Sequence, residues 1–201
     1  MSRARIAVLV SGGGTNLQAL IDAEKKGIIK NGKIELVISN KEGAYALKRA
    51  AKANIPSVVV SKKALGSAQI FEEKLIQLID ENKIDVIVLA GFMVILSESF
   101  TKRYPKRIIN VHPSLIPSFC GEGFYGLRVH EAALEYGVKV TGATVHFVNE
   151  IPDGGEIIMQ KAVSIREDDT PETLQKRVMR LAEWKILPQS VEKVCADIVS
   201  K

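Results

Sequence analysis

Residues 108–117 read IINVHPSLIP, and in a chain with only three histidines this stretch sets Asn110 and His112 two positions apart at the end of an apolar run. Residues i and i+2 leave a strand on the same side, so an amide and an imidazole stand next to each other there, with Pro113 and Pro117 stiffening the chain beyond. An amide donor and an imidazole would be held side by side at the edge of the sheet where ligands sit. Asp153, in the PDGG turn at 152–155, supplies a carboxylate that would orient the imidazole and raise its pKa, if that turn closes toward the same edge. A histidine so placed can also do no more than cap the strand end through hydrogen bonds to loop carbonyls; Asp153 is what favours acid–base chemistry. The trio needs no metal. It lacks a nucleophile, because nothing singles out the neighbouring Ser114 or Cys120 as activated.

A second stretch, SGGGTN at 11–16, follows the first apolar run and opens a helical pattern. Glycines let the backbone turn sharply and approach a ligand, and a helix N-terminus offers free N–H groups to an anion, which together outline a phosphate cradle. It is neither GxGxxG nor GxxxxGK[ST], and the second strand ends in ISNKEG without the acidic residue a dinucleotide site would need. Tight packing alone also explains a glycine-rich turn.

Both stretches need a scaffold. Apolar, β-branched runs recur at 5–10, 33–39, 57–60, 85–90 and 107–111, separated by segments of helical period. That alternation predicts a mostly parallel, Rossmann-like sheet flanked by helices on both faces. Leu17, Leu20 and Ile21 mark the buried face of the first helix, which should end near Gly27. Segments 140–148 and 156–165 complete the sheet as a hairpin around the PDGG turn. Thr170 and Pro171 start a helix with Glu172 in its first turn, and Leu174, Val178 and Leu181 give a stripe running to Leu187. Pro188 is expected to break that helix before a last one. With no repeat and no Pro/Gly/Ser-rich linker, residues 1–201 read as one domain.

Composition narrows the class. The 201 residues are 46% hydrophobic and 25% charged, enough for a sizeable core. The longest apolar run, 86–96, falls short of the roughly 18 residues of a membrane span. The N-terminal run is too short for a signal-peptide core, and two distant cysteines, Cys120 and Cys195, make neither a disulfide framework nor a CxxC motif. A cytoplasmic protein is expected. The net charge of +5 comes from lysines interspersed with glutamates, a solvated surface rather than a nucleic-acid footprint. It would suit a small phosphorylated substrate.

Four segments taken together, SGGGTNL, LAGFMVIL, INVHPSLIP and GATVHFVNEIPDGGEII, closely resemble the folate-dependent phosphoribosylglycinamide formyltransferases, from about residue 5 to residue 190. The resemblance implies a formyl transfer from 10-formyltetrahydrofolate to glycinamide ribonucleotide in purine synthesis, by a monomer or homodimer. It implies no metal, no membrane and no nucleic acid. Asn110, His112 and Asp153 match the family's catalytic trio. Gly14, Thr15 and Asn16 match the loop that holds the ribonucleotide phosphate, and Glu183 a carboxylate contacting the ribonucleotide. Met93, Val94, Ile95 and Leu96, with Asn110, match the folate pocket. Val94 stands where many members carry an arginine and Ala68 where some carry another, charges that Lys62, Lys63 or Arg128 could replace, and Trp184 stands where histidine is frequent. The loop 118–126 is longer than in the compared enzymes. Methionyl-tRNA formyltransferases would need a C-terminal domain beyond residue 200, and formyltetrahydrofolate hydrolases an N-terminal regulatory one. A non-catalytic nucleotide-binding module would not need the trio.

Overall fold

In the computed structural model, which describes residues 3–200, one seven-stranded sheet has the order β3-β2-β1-β4-β5-β6-β7. Strands β1 (Ala4–Val10), β2 (Gly32–Ser39), β3 (Ser57–Val59), β4 (Val86–Leu89) and β5 (Ile108–His112) are parallel. β6 (Val140–Phe147) and β7 (Ile157–Ser164) add the expected hairpin, each antiparallel to its predecessor.

The strands are nearly all apolar because both faces are covered, and period two sorts their side chains. Ile6, Val8 and Val10 of β1 face one core, which also holds Val86 and Val88 of β4 and Ile109 and Val111 of β5. That core is closed by helices α1 (Thr15–Lys25), α2 (Tyr45–Lys52), α7 (Pro171–Val178) and α8 (Trp184–Val199). Ala7 and Leu9, with Ile87, Leu89 and Ile108, face the other core. Phe71, Leu75 and Ile79 of α4 (Ala68–Glu81) and Phe100 of α5 (Glu98–Arg103) close it. The two remaining helices are α3 (Lys62–Leu65) and α6 (Leu127–Tyr136).

Strand order runs outward one way from β1 to β3 and the other way from β4 onward, so the crevice beyond the carboxyl ends of the parallel neighbours β1 and β4 is the topological switch point where open α/β sheets bind ligands. The β1–α1 glycine loop and segment 91–96 meet there, where the Met93 N–H donates to Ser11 Oγ at 2.8 Å. β5 delivers Asn110 and His112 to the same edge of the sheet.

The C-terminal region departs from expectation. Thr170 does cap a helix with Pro171 at its first position, through Thr173 N–H to Thr170 Oγ1 at 3.3 Å. The irregularity falls at a five-residue π turn, Met179–Glu183, and Pro188 lies inside α8 rather than breaking it. Its ring is buried with Ile186, Leu187 and Val191, and that burial offsets the helical hydrogen bond a proline cannot donate.

Candidate active site

β5 and β6 build the polar cluster. Their antiparallel register sets Asn110 opposite His146 and His112 opposite Thr144, so all four side chains share one face at the strand ends. Thr144 Oγ1 donates to Ser114 O at 2.7 Å and accepts from the Ile116 N–H at 3.1 Å, which pins the turn that follows His112. Asp153 reaches the same place from the PDGG turn. It sits in the left-handed region with φ of 56°, a conformation in which Asp and Asn are the usual non-glycine residues. Gly155 behind it has to be glycine because a Cβ would run into the Phe147 carbonyl.

Asp153 joins the cluster through both oxygens. Oδ2 lies 3.3 Å from His112 Nδ1 and accepts from the Gly121 N–H at 2.9 Å. Oδ1 lies 3.4 Å from His146 Nε2 and accepts from Asn110 Nδ2 at 3.4 Å. Burial alone would raise the Asp153 carboxyl, but opposing effects, the charge of His112 and the Gly121 N–H among them, outweigh it and hold it below its ordinary value. Burial also governs His112, whose net shift is downward although Asp153 and the Phe119 carbonyl both favour the imidazolium. The expected net rise is therefore corrected: Asp153 acts in the anticipated direction, and desolvation exceeds it.

His112 also makes the strand-capping bond weighed as the plainer role, since its Nε2 lies 2.8 Å from Phe119 O. The loop 118–126 thus folds against the site, with Phe119 edge-on to Phe124 and Tyr136 and Gly121 tied to Asp153. Ser114 is fully buried and donates to Ser118 O at 2.5 Å, while burial and the nearby Asp153 push the Cys120 thiol up. Neither is an activated nucleophile.

The β1–α1 loop works through backbone. A Cβ on Gly12 or Gly13 would meet nothing within 4 Å, whereas one on Gly14 would sit 2.7 Å from Ala46 Cβ at a φ of 70°. Gly14 is therefore glycine because α2 packs against it, a different reason from the expected approach of a ligand. Gly12 and Gly13 present the open backbone. Arg49 Nε donates to Gly13 O at 2.8 Å and steadies the loop. Asn16 Nδ2 donates to Glu183 at 2.8 Å, and both residues are buried. Desolvation pushes the Glu183 carboxyl up to about 7, against a smaller opposing effect of Asn16. Asn16 Oδ1 is buried without a protein partner. Thr15 begins α1.

Segment 92–96 divides its side chains. Met93 and Ile95 point outward at 51% and 70% exposure, while Val94 and Leu96 pack into the core with Phe71. Only the first two offer an apolar surface through their side chains, a narrower wall than the resemblance implied. Of the proposed substitutes for the absent arginines, Lys62 and Lys63 lie on α3 and Arg128 stacks over the Tyr125 ring at 5.1 Å.

A groove of about 430 Å³ runs between α1 and α8 past Thr15, Arg49, Trp184 and Lys185. Another of about 300 Å³, past Arg3, Glu24 and Lys33, lies at the amino ends of the strands, the wrong end for this chemistry. Neither is lined by Asn110, His112 or Asp153. The structure brings together Asn110, His112 and Asp153, which the sequence had grouped, and joins Asn16 to Glu183, which the resemblance had matched separately to the ribonucleotide; the sequence reading missed His146. The clue was present: 140–148 reads as a strand with one polar side, and His146 lies on it.

Residues 4–191 match the formyl transferase family. The human trifunctional purine biosynthetic protein adenosine-3 is 44% identical over 98% of the chain. The chain spans only 19% of that relative's length. Haemophilus influenzae phosphoribosylglycinamide formyltransferase is 43% identical, over 92% of this chain and 84% of the relative. Among solved structures, phosphoribosylglycinamide formyltransferase from Coxiella burnetii superimposes with a TM-score of 0.89 at 42% identity, covering 98% of this chain and 89% of the other. Glycinamide ribonucleotide transformylase 1 from Symbiobacterium toebii gives 0.90 at 38%, over 97% and 89%.

Proposed function

The chain belongs to the formyl transferase family, and from that membership we propose that it transfers the formyl group of 10-formyltetrahydrofolate to the amine of glycinamide ribonucleotide, a step of purine synthesis. The observation that carries this reading is the convergence of Asn110, His112 and Asp153 within 3.4 Å contacts at the carboxyl end of β5. In the reaction the amine nitrogen bonds to the formyl carbon, the carbon–N10 bond breaks, and the amine proton goes to N10.

The residues fit both substrates. Gly12, Gly13 and the first turn of α1 offer backbone N–H groups to a phosphate, the Asn16–Glu183 pair offers carbonyl and carboxyl oxygens to hydroxyl groups, and Met93 with Ile95 offers apolar surface to a flat ring. The Met93–Ser11 bond holds the two subsites against each other. Binding both substrates there makes the transfer effectively unimolecular.

Asn110 and His112 donate to the formyl oxygen as it gains negative charge. For His112 this means exchanging the Phe119 carbonyl for that oxygen at Nε2, while Asp153 keeps hold of Nδ1 and favours the imidazolium against the cost of burial. A water chain passing the amine proton to N10 completes the step without a covalent enzyme intermediate.

The test is a two-substrate assay of folate absorbance. Formyl transfer predicts a change only when glycinamide ribonucleotide is present. A change without it would make the chain a hydrolase, and no change in either case would make it a binding module.

A further inference from the structure

We infer that His146 is a positioning residue that fixes the orientation of the Asn110 carboxamide through a lone pair on Nε2; this rests on the formyl transfer proposed above. His146 is 1% exposed and stands directly opposite Asn110 in the β5–β6 ladder. The β6–β7 register shifts between Val145 and His146, a bulge of the kind that re-aims a side chain beside a site.

The hydrogen bonds define the tautomer. His146 Nδ1 lies 2.8 Å from Phe147 O, and a carbonyl only accepts, so Nδ1 carries a hydrogen. In the neutral ring Nε2 then holds a lone pair, and Asn110 Nδ2 lies 3.2 Å from it. The Asp153 carboxylate, also an acceptor, is 3.4 Å from the same Nδ2. Two acceptors facing one end of the amide require that end to be the NH2, so the carboxamide cannot turn over without setting its oxygen against a lone pair and a carboxylate.

One N–H remains available for chemistry. His146 Nε2, Asp153 Oδ1 and Asn110 Nδ2 form a triangle with sides of 3.2, 3.4 and 3.4 Å, which encloses an angle of about 60° at Nδ2. The two N–H bonds of an amide diverge by about 120°, so they cannot both aim at this pair. A single N–H is shared between His146 and Asp153, and the second points away, free for the formyl oxygen. If Nε2 were protonated it would donate to Asp153 and oppose the Asn110 N–H, and the orientation would be lost.

The test compares His146→Gln, His146→Asn and His146→Ala. A glutamine amide extends far enough to put an acceptor near the Nε2 position, whereas asparagine reaches only the Nδ1 position beside Phe147 O. With Asn110 held, His146→Gln should keep kcat within about 10-fold of wild type, and His146→Asn and His146→Ala should each lose about 10², with KM for both substrates nearly unchanged. A structural role would favour asparagine, which keeps the backbone bond. That reverse order, equal loss in all three variants, or no loss would overturn the proposal. Nitrogen-15 NMR of the wild-type protein at neutral pH gives a readout independent of activity. Protonated Nδ1 with unprotonated Nε2 supports the assignment, and a protonated Nε2 refutes it. If the wild-type protein transfers no formyl group, the formyl-transfer reading fails by itself, and the NMR result still decides the Asn110 contact.

Discussion

The two ends of the candidate site are built by opposite means. At the β5–β6 end, the candidate site resides in side chains: Asn110, His112, His146 and Asp153 are buried or half-buried and hold one another through side-chain contacts of 3.2–3.4 Å. At the β1–α1 end it resides in backbone: Gly12 and Gly13 open toward solvent while Gly14, Ala46 and Arg49 brace them from behind. A site of the first kind is sensitive to the charge and tautomer of individual groups, because low dielectric strengthens each interaction and makes each unpaired group costly. A site of the second kind is sensitive to shape and indifferent to most side chains. Substitutions should separate the two.

The largest effect is expected at His112. His112→Ala removes a donor from the reacting oxygen and should lower kcat by about 10³, the upper end for one such donor. Ribonucleotide affinity measured by calorimetry should stay near wild type, because the proposed phosphate cradle stands on a different strand. Collapse of both together would merge the two regions into one and remove the catalytic role of His112.

Asp153→Asn probes the same end through charge alone. Asn tolerates the left-handed backbone of residue 153, so the melting temperature at neutral pH should change little, while kcat should fall by about 10². His112 already lies below its ordinary pKa because of burial, and Asp153 is the main influence opposing that. Removing the carboxylate should lower the His112 pKa further. The limb of the pH–rate profile that reports loss of the imidazolium should therefore move to lower pH. An active variant with an unmoved profile would make Asp153 a turn residue only.

How legible these features are in the sequence follows from the same division. The sheet can be read because burial on two faces leaves unbroken apolar runs such as RIAVLV and DVIVLA, and Asn110 with His112 stands out because the two share a face at the end of one. His146 is harder to see, since its role depends on the β5–β6 register and a bulge, neither of which periodicity reveals. The Phe119 carbonyl on His112 is a backbone contact made by a loop and leaves no trace in residue type. Val94 and Leu96 lie within an apolar segment, and only packing shows that they turn inward. Pro188 is a strong breaker by rule, yet burial of its ring and the π turn before it let α8 continue.

Glu183 joins the two regions, because it is a charge-bearing side chain placed behind the backbone cradle. Its carboxyl, pushed up to about 7 by burial, binds a proton more tightly in the folded than in the unfolded protein. The sign follows: its contribution to stability is full below the ordinary carboxylate range and is lost as pH rises through about 7. Glu183→Gln should match wild type near pH 4 and exceed it by about 3 kcal/mol near pH 8 in denaturant unfolding. Equal pH dependence in the two proteins would mean that Glu183 is hydrated in the folded state.

The smallest effects should come from the glycine loop, where two adjacent positions are predicted to fail differently. Gly13→Ala adds a methyl group to open space at a backbone angle alanine adopts, so the fold should tolerate it, and calorimetry should show ribonucleotide binding weakened about 10-fold with folate binding unchanged. Gly14→Ala drives a methyl group toward Ala46 at a φ of 70° and should cost about 1–2 kcal/mol of stability, or several degrees in melting temperature. Its effect on binding should follow that instability rather than precede it: at a temperature where the variant is fully folded, affinity should recover toward wild type. If Gly13→Ala left ribonucleotide affinity intact while Gly14→Ala abolished it in fully folded protein, the phosphate would lie against Gly14 and not in the open cradle of Gly12 and Gly13. The backbone end of the site would then have to be redrawn one residue toward α1.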